Sequence, residues 1–146
     1  LRSKDFHANA TPCGNSIMVN NLILLAVLTG NKNYYEQAET MLQLIKNSML
    51  KYGNSFGNWL NAALTFVFPI AEIGITGNNA AALRDEVFGK YYPNSIIQID
   101  EIGDSKFPLL ENRYTHNQTQ LFLCRNNTCA LPVSNVQDFT ELLNKF

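Results

Sequence analysis

The spacing of hydrophobic positions changes period once along the chain, near Pro69, separating a helical half from an α/β half. Residues 17–28, "IMVNNLILLAVL", are apolar nearly all round, which predicts a helix sheathed on several sides. Thr11 followed by Pro12 is the expected start, because a threonine oxygen can cap free amides and proline fits the first turn. Gly30 is the expected left-handed end. Tyr34, Ala38, Met41, Leu42, Ile45 and Met49 then recur at helical spacing behind Asn33 and Glu36, which resemble a capping box. This second helix runs to Gly53 and should fold back on the first as an antiparallel hairpin. Ser55 is the expected cap of a third helix carrying Trp59, Ala63, Phe66 and Val67, with Pro69 as its stop.

Beyond Pro69 the pattern is that of short strands. Residues 70–76, "IAEIGIT", predict a strand, residues 80–91 a helix with Leu83, Val87 and Phe88 on one face, and residues 95–100, "SIIQID", a second strand. Strand, helix and strand within about 30 residues imply a parallel pair joined by a right-handed crossover. A loop over residues 101–117 is long enough to be functional or partly mobile. A third strand over residues 119–124 meets the turn "RNNT" and then "CALPV", and Ser134 with Gln137 can cap a last helix built on Val136, Phe139, Leu142, Leu143 and Phe146. The fold class is therefore mixed α and α/β: helical hairpins over residues 1–69, then a small three- to four-stranded α/β segment over residues 70–146. With no flexible linker at the junction, the two are expected to pack as one unit.

Composition narrows the partners. The formal charge of −1, from 11 basic and 12 acidic residues scattered along the chain, offers no basic face to a nucleic acid or an anionic membrane. The apolar run 22–28 is too short to span a bilayer, which takes about 20 residues. Three cysteines make no disulfide framework, and their odd number fits a reducing, cytoplasmic location.

Candidate chemistry is sparse. His7, His116 and Cys13 sit at no metal-ligand spacing relative to Cys124 and Cys129, so neither a metal nor another cofactor is expected. Cys124 and Cys129 have two readings. They pack as small hydrophobes, the preferred reading in a reducing compartment, or "RNNT" makes them cross-strand partners about 5 Å apart at their α-carbons, within disulfide reach. Gly74 and Gly77 favour a tight turn over a phosphate cradle, since no GxGxxG or GK[ST] surrounds them. Arg113 and Arg125 are the basic residues of interest, with surface solvation as their default. Trp59, Tyr34 and Tyr35 could stack on a sugar, but their helical spacing favours a core role.

The blocks "ATPCGNSIMVNNLILLAVLTGNKNYYEQAETML", "PIAEIGITG", "YYPNSI", "PLLENR" and "LFLCRNNTCALPV" follow one another in an order that resembles the C-terminal end of YyaL-type, thioredoxin-domain-containing proteins. The resemblance implies a longer protein with an N-terminal thioredoxin-like domain and an (α/α)6 toroid similar to N-acylglucosamine 2-epimerases and six-hairpin glycosidases. This chain would supply closing helices of the toroid and the α/β tail. It also implies that the polar run "NATPCGNS" lines a sugar-like cavity through Asn9, Thr11, Asn15 and Ser16, with helix capping as the equal alternative. Ala8 stands where an acidic residue is common in the family and Cys13 where serine is common, so this motif lacks a candidate acid or base.

Three functions follow. The first, ranked highest, is a structural or interaction portion whose partner is the remainder of a full-length protein, toroid and thioredoxin-like domain together. The second is a carbohydrate-active, epimerase- or glycosidase-like domain with a sugar ligand, and the third a redox-linked module using Cys124 and Cys129. The isolated chain is expected to be inactive on sugars and to bury its apolar helix faces as a homodimer.

Overall fold

The structure, a computed structural model, describes residues 5–7 and 11–145. The chain divides into two compact units, Leu1–Phe68 and Pro69–Phe146.

The first unit holds α1 (Gly14–Thr29), α2 (Lys32–Lys51), a 3-10 turn (Gly53–Ser55) and α3 (Gly57–Val67). α1 packs against both α2 and α3. Val19, Leu22 and Ile23 of α1, Ala38, Leu42 and Met49 of α2, and Phe56, Trp59 and Ala62 around α3 are among its buried apolar residues, with Cys13 ahead of α1. Because two partners cover only part of an all-round apolar helix, Ile17 and Met18 stay 46% and 51% exposed, and Leu24 and Leu25 also reach solvent. The expected sheathing on several sides is not reached within this unit.

The helix ends depart from expectation at their N-termini. Thr11 does not cap α1, which begins at Gly14 behind Cys13, a residue making no side-chain cap bond. The cap of α2 is Asn31 rather than Asn33: its side-chain oxygen accepts from the Asn33 N–H at 3.0 Å. Ser55 lies in the 3-10 turn, and α3 starts behind Phe56, whose complete burial fixes the chain's entry there. Gly30 ends α1 as expected, at φ 67° with its N–H on the Ala26 carbonyl.

The second unit is a four-stranded sheet in the order β2-β1-β3-β4, from β1 (Ala71–Thr76), β2 (Ser95–Asp100), β3 (Gln120–Arg125) and β4 (Thr128–Cys129), with α4 (Ala80–Phe88) and α5 (Val136–Lys145). β1 runs parallel to β2 and antiparallel to β3. α4 stops at Phe88, short of the expected Tyr91: the Gly89 N–H closes the last turn on Asp85, and Tyr91 is 89% exposed. Asn135 caps α5 one residue beyond the expected Ser134, accepting from the Asp138 N–H at 2.8 Å and donating to the Asp138 carboxylate at 2.7 Å.

Strand alternation gives the sheet two apolar faces. Ala71, Ile73, Ile75, Leu121 and Leu123 pack with Leu83 and Val87 of α4 and Phe139 of α5. Gly74, Thr76, Phe122 and Cys124 lie on the opposite side, where Leu109 and Leu110 of the long loop cover Cys124. Gly74 lets the loop approach closely: a β-carbon there would stand 2.9 Å from Leu110 Cδ2, which would have to move aside.

Candidate functional site

The polar run at the head of α1 is largely bonded internally. Asn9 lies outside the described residues. Thr11 is exposed, Asn15 half-buried and Ser16 fully buried. The Asn15 amide donates to the Asp5 carbonyl at 2.9 Å. Ser16 Oγ donates to the Cys13 carbonyl at 2.9 Å and accepts from the Asn58 amide at 2.9 Å. Asn20 completes the cluster by donating to the carbonyls of Ser16 and Asn58. The result ties α1 to α3 through hydrogen bonds sheltered from water, where each is costly to lose. Asn20 and Asn58 carried no signal of their own, being ordinary helical asparagines 38 residues apart. Trp59 is core, 2% exposed, with its indole N–H on the Phe6 carbonyl, and Tyr35 stacks on Phe66 with ring centres 4.4 Å apart.

The glycines of "GITGNN" do not form an anion cradle. Gly74 is inside β1, and Gly77 sits at φ 116° where a β-carbon would run into the backbone of Gln118 and Thr119. At the head of α4, the Ala81 N–H already donates to the Glu101 carboxylate and the Asn79 N–H to Thr119 Oγ1.

The chemically distinctive cluster is on the loop-covered face of the sheet. Asn126 and Asn127, both left-handed at φ 49° and 61°, make a two-residue turn that pairs Arg125 with Thr128 and Cys124 with Cys129. Here the structure corrects the preferred reading of two packed thiols. The two sulfurs are bonded, their α-carbons are 4.0 Å apart, and only Cys124 is buried while Cys129 is exposed. The α-carbons come closer than the expected 5 Å because the next bond, Ala130 N–H to Leu123 O, makes Cys124 and Cys129 a non-hydrogen-bonded pair, the closer kind.

Arg113 stands beside both sulfurs, its Nη1 3.6 Å from Cys124 Sγ and its Nη2 3.3 Å from Cys129 Sγ. Its guanidinium lies over the Phe122 ring at 4.9 Å, and its carbonyl accepts from buried Thr76 Oγ1 at 3.2 Å, so side chain and backbone are both held. The loop bearing it is anchored at its start by Asp100, whose carboxylate accepts from the N–H groups of Ile102, Gly103 and Ser105. Burial alone would raise the Asp100 pKa, but these backbone bonds outweigh it and hold the carboxyl below its ordinary value. Glu72, the cross-strand partner of Cys124, is half-buried; burial raises its pKa and the Arg113 charge offsets part of that rise. Solvation as the default for Arg113 thus fails, because the loop lays it over Phe122 and the sulfurs. Cys13 is buried and free.

Among the described residues, no helix is long and apolar enough to cross a membrane. No family model matches the chain, and no solved structure does. The chain is similar to Spermatogenesis-associated protein 20 of Homo sapiens, at 25% identity over 154 residues that cover 99% of this chain and 20% of that protein. The proteins of the same name from Rattus norvegicus and Mus musculus are 25% and 23% identical over 155 residues, again 99% of this chain and 20% of theirs. The chain therefore spans about a fifth of the length of the curated relatives it matches.

Proposed function

We propose that this chain is the C-terminal structural and interaction portion of a longer, YyaL-type thioredoxin-domain-containing protein, located in the cytoplasm, whose toroid its helical unit helps to close. The observation that carries the reading is α1, an all-round apolar helix with two partners and with Ile17, Met18, Leu24 and Leu25 still exposed. Each large side chain left in water forgoes about 1.5–3 kcal/mol of burial free energy, so such a helix asks for further neighbours. An end-to-end match to a fifth of much longer relatives supports the remainder of the longer protein as their source. The internal bonding of Ser16 and Asn15 supports a scaffold role for the polar run rather than a reacting one.

The test is to place a protease site just ahead of Leu1 in the full-length polypeptide and cut it. The two pieces should remain together through size-exclusion chromatography. Separation into free pieces, with this chain a monomer that binds no hydrophobic dye, overturns the reading.

A further inference from the structure

We infer that Cys124–Cys129 is an exchangeable disulfide, opened by an external thiolate at the exposed Cys129 sulfur while Arg113 holds the departing Cys124 thiolate. The inference goes beyond the scaffold role and does not depend on it. Thiol–disulfide exchange needs an accessible sulfur to attack and a second sulfur able to leave as an anion. The hairpin supplies both on opposite sides of one bond: Cys129 is exposed on the two-residue strand β4, and Cys124 is 2% exposed beneath Leu109 and Leu110. A thiolate developing under that apolar cover would ordinarily be disfavoured, but the guanidinium 3.6 Å away is the counter-charge that stabilises it. The same group reaches Cys129 at 3.3 Å, so it stays in place whichever sulfur bears charge.

The step balances without any further reactant. The incoming thiolate forms a bond to Cys129 Sγ, the Sγ–Sγ bond breaks, and its electron pair stays on Cys124. A second external thiol then attacks the mixed disulfide, leaving Cys124 and Cys129 reduced by two electrons and the external pair oxidised to a disulfide. Arg113 and Glu72 act oppositely on the sulfurs: Glu72 faces Cys124 across the strand pair and opposes negative charge on its sulfur, whereas Asp100, on the same side of the sheet in register with Thr76, is held by the backbone N–H groups of the loop.

The oxidised chain is treated with limiting N-acetylcysteine, quenched in acid, alkylated and mapped by mass spectrometry. The adduct should be on Cys129 and the alkyl group on Cys124. An adduct mainly on Cys124, or no opening, overturns the inference. Arg113→Met should slow opening, because a Cys124 thiol of higher pKa leaves less readily, and Glu72→Gln should speed it. Simple loosening of the fold would speed both, so an Arg113→Met chain that opens as fast as the parent, or faster, is the contrary result. In the reduced chain, thiolate absorbance titrated against pH should have a higher midpoint in Arg113→Met; an unmoved midpoint removes the role given to Arg113.

Discussion

At the scale of single residues, two carboxylates of the second unit pull its pH dependence in opposite directions. Asp100 has a folded pKa below its unfolded one, so its contribution is complete above about pH 4 and is lost as pH falls through the folded value. Glu72 has a raised folded pKa, so its charge costs nothing below the unfolded value near pH 4, and the cost grows from there and is complete once pH has risen through the raised folded value. Glu72→Gln is therefore expected to be more stable than the parent chain at neutral pH, with the difference closing below about pH 4. Urea melts of the two proteins at several pH values measure this, and a neutral-pH loss of stability would contradict it. Gly77 is the other sensitive position, because its φ of 116° and the nearby Gln118 backbone leave no place for a β-carbon. Gly77→Ala should cost about 2–3 kcal/mol in the same melts, a backbone-strain effect that no side-chain adjustment can relieve.

At the scale of elements, what the sequence conveys depends on how many residues vote. The three long strands and the parallel β1–β2 pair were legible because "AEIGIT", "SIIQID" and "LFLC" are short apolar runs bounded by turn residues, whereas the place of β3 beside β1 was not. Helix starts were displaced by one or two residues at Asn31, Phe56 and Asn135, because each hangs on one side chain and a second competent residue stands nearby. The cross-strand pairing of Cys124 with Cys129 was legible from the turn, whereas the partners of the thiols were not. Arg113 arrives from a loop 11 residues away whose path is fixed by Thr76 and Asp100, contacts that no local pattern encodes. Ser16 was legible as a polar residue at a helix entrance, but Asn58 as its partner was a tertiary fact. α1 carries the prediction proper to this scale. Expressed alone, the chain should associate with itself at micromolar concentration, and a Leu24→Lys, Leu25→Lys double variant should shift it toward monomer with its helix content kept. Sedimentation with circular dichroism reads both quantities, and a parent chain that sediments as a monomer refutes the expectation.

At the scale of the whole molecule, the chain offers a sugar little to work with. Glycoside chemistry asks for two carboxyl groups about 5–10 Å apart across one bound ring, and in the polar run at the head of α1 the Asn15 amide and the Ser16 hydroxyl are already bonded to Asp5, Cys13 and Asn58. Neither epimerase nor glycosidase turnover is expected from the purified chain; activity above a heat-denatured control would reverse that. The strand order has a consequence in time. β1 occupies the interior of the sheet and is made first, while β3, which flanks it on one side, follows about forty residues later, a few seconds at synthesis rates of roughly 5–20 residues per second. Until then the apolar "AEIGIT" has an unpaired edge, and the growing polypeptide must leave the ribosome with its sheet unfinished. Chains truncated before Gln120 should accordingly be cut readily by protease within residues 70–100, and chains that run through Lys145 should resist, so that docking of Phe139 of α5 on the finished sheet is the event that closes the unit.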